Sequence, residues 1–293
     1  MFFWKGRGAA MEQQPLVSVV TPTYNRPGTL SELLESLSRQ TYKRLQIIVV
    51  NDAGEPIEEA VGLYPELDVT IVNMESNGKH VAARNRGLSE VRGAYILLCD
   101  DDDLLLPTHV ERMVREIEDC DLVYSDVEIF DYVEEEGVRR ATSRFVFAYE
   151  HDLEAMRRCS TFVSSGCLYR RELHDRLGPF DEGVYNYWDW DFILRASAHY
   201  RVKRVPVASV LYAFGQSGGN MSRDAGSDSR RDYLNKLSVK HGLGELPTEN
   251  FFTLLDKPEM KARRAATDVL WDGEPFVSRW ASLRRKGEGE VEA

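Results

Sequence analysis

The feature that most constrains this chain is a pattern repeated between residues 17 and 124. A short apolar run is followed by a polar or proline break, and then by an apolar stripe at helical spacing. Residues 17–21 (Val-Ser-Val-Val-Thr) stop at Pro22, and residues 45–50 (Leu-Gln-Ile-Ile-Val-Val) stop at Asn51-Asp52-Ala53-Gly54. Val69–Asn73 and Tyr95–Cys99 are further runs, and Leu122–Tyr124 begins a fifth. Between them, Pro27 opens a stripe of Leu30, Leu33, Leu34 and Leu37, and a short helix is expected over 56–63. Ala82, Ala83, Leu88 and Val91 share a face over 80–91, and Pro107 opens another stripe of Val110, Met113, Val114 and Ile117. Strands alternating with helices predict an α/β domain with a mainly parallel sheet flanked by helices. Such a sheet binds ligands beyond the carboxyl ends of its strands. Thr23-Tyr24-Asn25, Asn51-Asp52 and Asp100–Asp103 all follow strand ends, so the topology brings them to one rim.

The second half is less regular. Residues 128–160, with Glu134-Glu135-Glu136, read as a charged, irregular excursion. Regular signals return as a strand at Ser164–Tyr169, helices at Arg171–Leu177 and Asp189–Ala198, and strands at Val202–Val207 and Ser209–Ala213. From about residue 226 the chain reads as helices separated by Pro247, Pro258 and Pro275. The expected division is an N-terminal extension (1–14), a main α/β domain (15–225) and a helical C-terminal extension (226–293). The main domain divides into a regular half (15–125) and a less regular half (126–225).

Composition narrows the function class. The formal net charge of −11 argues against a nucleic-acid binder, which needs a basic footprint. It does not oppose a nucleotide ligand, because a metal ion reverses the local sign. Cys99, Cys120, Cys159 and Cys167 fit no zinc spacing and read as thiols of a reducing compartment. No apolar run has bilayer-spanning length, so the expectation is a cytoplasmic protein.

Four consecutive aspartates at the end of a buried strand repel one another, and a divalent cation is the usual reason to crowd them. Hard oxygen ligands suit Mg²⁺ or Mn²⁺, although an exposed acidic turn gives the same run. A tyrosine just past a strand end, Tyr24, can lay its ring against a nucleobase or simply line the rim. The Asp52 carboxylate can accept the N–H of a uracil-like base or cap a turn.

Taken in order, Pro22-Thr23-Tyr24-Asn25, Asn51-Asp52-Ala53-Gly54, the Gly-x-x-x-Ala-Ala-Arg-Asn-x-Gly run of Gly78–Gly87, and Asp100–Pro107 form a set. Over about residues 15–215 this set resembles the family 2 glycosyltransferases, inverting enzymes with the GT-A fold. The resemblance implies transfer of a sugar from a nucleotide diphosphate donor, UDP or dTDP favoured, to an acceptor hydroxyl. It implies work in cell-surface polysaccharide or glycoconjugate synthesis, on a saccharide, glycolipid or protein acceptor.

The same resemblance assigns residues. Pro22, Thr23, Tyr24, Asn25, Asp52, Arg84, Asp100 and Asp101 fall around the nucleotide. Asp102 and Asp100 match the Asp-x-Asp acids that hold Mn²⁺ or Mg²⁺. Asp189, in Trp188-Asp189-Trp190-Asp191, aligns with the catalytic base, and Arg195 follows on the same helix. Trp188 stands where the family commonly has Glu. Trp188, Trp190 and Asp191 are placed beside the acceptor or donor sugar, although the aromatic cluster with Tyr185 and Tyr187 reads equally as core. The family often has a His after the last strand, but here the loop is Phe214–Ser222 with Gln216 and Asn220.

Two alternatives share these features. One is a binding module that has lost catalysis. The other is a nucleotidyltransferase, which would carry a basic Gly-rich loop after the first strand, and residues 21–28 lack one. Residues 257–286 carry eight Lys or Arg against four acids, with Trp271, Phe276 and Trp280. Such a segment either rests on an anionic membrane at the inner face or packs on the catalytic domain or a second subunit.

Overall fold

The computed structural model describes residues 14–214, 228–247 and 251–289. The N-terminal extension up to residue 13 and the loop after Phe214, with Gln216 and Asn220, lie outside the described residues.

In chain order the elements are β1 (Val17–Thr23), α1 (Pro27–Ser38), β2 (Leu45–Asn51), α2 (Glu58–Gly62), β3 (Val69–Asn73), α3 (Lys79–Leu88), β4 (Tyr95–Leu98) and β5 (Leu104–Leu105). There follow α4 (His109–Glu116), β6 (Leu122–Glu135), β7 (Val138–Phe147), α5 (Leu153–Met156), β8 (Leu168–Arg170) and α6 (Leu173–Leu177). A 3₁₀ turn at Glu182–Tyr187 leads into α7 (Trp188–Ser197) and β9 (Val202–Ala213). The remainder is α8 (Asp228–His241), α9 (Phe251–Leu255), α10 (Pro258–Ala262), β10 (Asp268–Val269) and α11 (Arg279–Gly289).

One sheet runs in the order β10-β9-β6-β8-β4-β1-β2-β3. β1 is parallel to β2 and β4, and β2 to β3. β8 is antiparallel to both β4 and β6, while β6, β9 and β10 are again mutually parallel. This is the mainly parallel sheet expected, with β8 reversed within it and β5 and β7 pairing antiparallel to β9 and β6.

Side-chain alternation builds the two faces. Ile47 and Val49 of β2 pack into one core with Leu30, Leu33, Leu34 and Leu37 of α1 and with Val110 and Met113 of α4. Ile48 and Val50 point the other way, to Val81 and Ala83 of α3 and Phe192 of α7. Each fully buried Leu of α1 contributes on the order of 1.5–3 kcal/mol. Gly87 lets α3 close on the sheet, since a Cβ there would stand 2.7 Å from Val20 Cγ1.

The excursion expected to be irregular is ordered. β6 and β7 form a long antiparallel hairpin in which Glu135 pairs with Val138. Its turn residues Glu136 (φ 51°) and Gly137 (φ 70°) are both left-handed, as a two-residue hairpin turn requires. The two strands expected at 202–213 are one, β9, with Pro206 inside it where the pairing to β6 shifts register.

The C-terminal segment is also not wholly helical. β10 adds to the sheet edge beside β9, and Trp271 and Phe276 are buried with Leu104, Phe130 and Leu211. Arg279, at the start of α11, reaches back to the first third of the chain. Its backbone N–H donates to Tyr64 Oη (3.1 Å), its Nη1 to the Leu63 carbonyl (2.6 Å), and its guanidinium lies over the Tyr64 ring. Two of the segment's aromatics, Trp271 and Phe276, are thus turned onto the protein, while Lys261, Arg264, Arg279 and Arg284 stay exposed. No helix among the described residues is long and apolar enough to cross a membrane.

Candidate active site

A cavity of about 390 Å³ opens at the carboxyl ends of β1, β2 and β4, the rim where the sequence placed its polar clusters. Pro22, Thr23, Tyr24, Asp52, Arg84, Asp100, Asp101, Asp102, Trp188, Asp189 and Trp190 all line it. Asn25 and Asp191 are absent from its wall.

The rim loops are held by local bonds and by backbone strain. Asn25 (φ 55°), Ala53 (φ 58°) and Lys79 (φ 67°) are left-handed, a conformation that costs a non-glycine residue about 1–2 kcal/mol. Asn25 does not face the cavity. Its Oδ1 accepts from the Glu55 N–H (2.8 Å), tying the loop after β1 to the loop after β2. Gly54 makes that approach feasible, because a Cβ there would lie 2.9 Å from Asn25 N. Asp52 is buried and its Oδ1 accepts from the Gly78 N–H (2.7 Å), which fixes the start of α3. Tyr24 is 46% exposed, its ring free to receive a flat ligand.

The four aspartates divide by environment. Asp101 points beneath the wall, is fully buried, accepts from Thr23 Oγ1 (2.6 Å) and pairs with Arg26 (2.6 Å). Burial raises its carboxyl to about 7 despite the attraction of Arg26. Asp103 is also buried, accepts from Ser165 Oγ, and is pushed well above the usual carboxylate range by burial and then by Asp102 and Asp100. Asp100 and Asp102 are partly exposed, at 35% and 24% of their side chains. One oxygen from each of Asp100, Asp102 and Asp103 falls within 4.8 Å of the others, an all-oxygen set of the kind hard divalent cations take. The residues therefore fit a metal, with Asp103 as a third neighbour beyond the two expected.

Arg26 carries no spacing signature in the sequence, yet it bridges Asp101 and Asp102 (2.7 Å) across the cavity floor. Arg139 of β7 is a second unexpected contributor. It pairs with Glu32 of α1 (2.5 Å) and donates from Nη1 to the carbonyl of Asp102 (2.8 Å), clamping the aspartate loop from behind. Arg84 is buried, pairs with Asp100, and lies with its guanidinium carbon 4.2 Å from the centroid of the Trp188 ring. Trp188 thus acts as a floor for Arg84 where the family commonly has Glu. Trp190 is anchored by Nε1 donating to the Met156 carbonyl (2.8 Å).

Asp189 sits at the start of α7 and accepts the Trp190 N–H at Oδ1 (2.8 Å). Burial lifts its carboxyl to about 6, with Asp100 adding to the rise and Arg84 opposing it. A carboxylate poised near neutrality in a cleft suits proton abstraction. Asp191, expected beside the sugar, faces the other way. It is fully buried and bound by Arg195 (2.7 Å), Lys240 (2.6 Å) and His241 (2.8 Å). Burial alone would raise it, but His241, Lys240 and Arg195 hold it at about 2, a structural tie between α7 and α8.

A model described as glycosyl transferase family 2 matches residues 18–178. A Bacillus subtilis protein named uncharacterized glycosyltransferase YwdF is 56% identical over 263 residues, covering 90% of this chain and 98% of that protein. An uncharacterized glycosyltransferase of Methanocaldococcus jannaschii, MJ1057, is 29% identical over 64% of this chain and 66% of its own length. Among solved structures, S. aureus TarS 1–349 in complex with UDP-GlcNAc superposes with a TM-score of 0.63 at 21% identity, over 85% of this chain and 78% of that one. The mannosyltransferase PcManGT of Pyrobaculum calidifontis, in complex with GDP-Man and Mn²⁺, gives 0.56 at 18% identity, over 93% and 84%. The structural likenesses carry the fold.

Proposed function

Because the chain belongs to glycosyl transferase family 2 and has the GT-A fold, we propose that it transfers a sugar with inversion from UDP or dTDP to an acceptor hydroxyl, with Asp189 as base. The observation that carries this reading is the convergence of Asp52, the Asp100–Asp102 pair and Asp189 on one cavity.

Tyr24 stacks on the base, and Asp52 accepts the N–H of a uracil or thymine ring. The UDP-GlcNAc complex of TarS supports a uridine donor. Thr23 and Arg26 hold the floor under the diphosphate by fixing Asp101. Arg84, kept flat by Trp188 and paired with Asp100, presents positive charge to the donor. Asp100 and Asp102 would hold Mn²⁺ or Mg²⁺, a reading supported by the Mn²⁺ in the PcManGT complex, and a bound ion would offset negative charge developing on the departing diphosphate. Asp189 takes the acceptor's hydroxyl proton. The acceptor oxygen bonds to the anomeric carbon as that carbon's bond to the diphosphate oxygen breaks, and the electron pair leaves with the nucleotide diphosphate.

The test is calorimetric titration of UDP, dTDP and GDP with Mn²⁺ and again with EDTA. Metal-dependent binding of UDP or dTDP, lost in Asp102→Ala, is expected. UDP affinity unchanged by EDTA or by that substitution removes the metal assignment, and a preference for GDP removes the role given to Asp52.

A further inference from the structure

The sheet order gives the cavity an axis. Asp52 and Tyr24 lie at the ends of β2 and β1, and the aspartate loop lies at the end of β4. β6 and β9 lie on the far side of β4, two and three strands away. The aspartate run reaches that wall, since Leu104, directly after Asp103, pairs with Leu211 of β9. Its lining changes character. Phe147 at the end of β7 and Phe214 after β9 border the same cavity, joined by Phe162, Val163, Leu246 and Leu254 from other segments, and Phe147, Phe162 and Phe214 are 4–6% exposed.

A polar donor does not need such a wall, and a bare saccharide is poorly matched to it. Each sugar hydroxyl pressed against Phe147 or Phe214 without a partner loses its bonds to water, whereas every methylene seated there is favoured. Polar groups also line this part of the cavity, with Ser160, Ser164 and Ser165 beside Phe162 and Val163, and Asn186 and Asp189 around the start of α7. They can serve the reactive end of an acceptor while its apolar end lies along β6, β7 and β9. Arg158 borders the same region.

We propose that this chamber is the acceptor subsite and that it takes an alkyl-bearing acceptor, a glycolipid or lipid-linked saccharide, with the chain seated against the apolar wall and the hydroxyl towards Asp189. The proposal rests on the transfer reaction above and names the acceptor class for it.

The experiment titrates methyl, phenyl and octyl β-glucoside, the last below its micellar concentration, into the full chain saturated with UDP and Mn²⁺. UDP binding is measured first in the same preparation. Octyl glucoside should bind at least tenfold more tightly than the methyl compound. Val163→Asp and Leu246→Asp, both on the wall, should each erase that advantage while the melting temperature stays within a few degrees of wild type. Failure of UDP to bind strikes the transfer reading itself. UDP binding with equal affinity for methyl and octyl glucoside overturns the lipid assignment alone, as does a gain from phenyl with none from octyl. An octyl advantage that survives in both variants places the alkyl chain elsewhere and overturns the subsite.

Discussion

Replacing Asp189 with Asn should stabilise the fold while abolishing transfer. The carboxyl titrates at about 6 in the folded chain against an ordinary 3.8. Between those values the folded chain binds the proton more firmly than the unfolded chain, so stability falls as pH rises through that window and is level above it. At 1.36 kcal/mol per pH unit, the ionised group costs the fold about 3 kcal/mol at neutral pH, and partial exposure reduces this to roughly 2–3. Asparagine keeps an oxygen for the Trp190 N–H and carries no charge. Urea denaturation at pH 7.5 should therefore show Asp189→Asn more stable by that amount, or about 5 °C higher in melting temperature. The gap should narrow to about half at pH 5, where the wild-type carboxyl is largely protonated in the folded state. The same proton sets the rate. kcat/KM should fall tenfold per pH unit below about 6, and the Asn variant should lose 10²-fold or more of turnover. A variant no more stable than wild type at pH 7.5, or an acid limb near pH 4, would refute the account of a base held uncomfortably in a low-dielectric cleft.

Two further expectations concern the scaffold. Arg139→Met should cost roughly 3–5 kcal/mol, because it strands the buried Glu32 carboxylate, and Glu32→Gln in the same chain should recover much of the loss in urea titrations. Gly87→Ala should destabilise by about 1–3 kcal/mol, since the new methyl would press Val20 and Val50 and force α3 off the sheet. An unchanged denaturation midpoint would mean that the helix shifts freely.

The first hundred residues were legible because β1 and β2 are buried on both faces, β4 nearly so, and each polar break follows a strand end. Burial pattern and site location come from the same runs. The hairpin of β6 and β7 was not, because its far half is one-sided. Arg139 and Ala141 alternate with exposed Arg140 and Thr142, Ser143 and Arg144 are exposed too, and charge at 134–136 masks the strand. Gly137 after Glu136, between two alternating runs, was the available signal. Pro206 split β9 on paper because a proline normally ends pairing, and only the register shift beside it explains its place. Asp191 and Asp189 are indistinguishable by spacing. What separates them is that Lys240 and His241, some fifty positions later, fold back onto one and not the other. Arg26 and Arg139 were invisible for the same reason, since long-range ion pairs leave no periodic trace.

The strap from Arg279 to Tyr64 bears on how the molecule is made. The two residues are 215 positions apart. At 5–20 residues per second, a ribosome takes about 10–40 s to deliver the second after the first. For that interval the nascent N-terminal part has β1 to β4 and α1 in hand but not the guanidinium that covers Tyr64 or the partner of Glu66. The surface around Tyr64 thus reaches its finished form only after residues 126–278 have been synthesised.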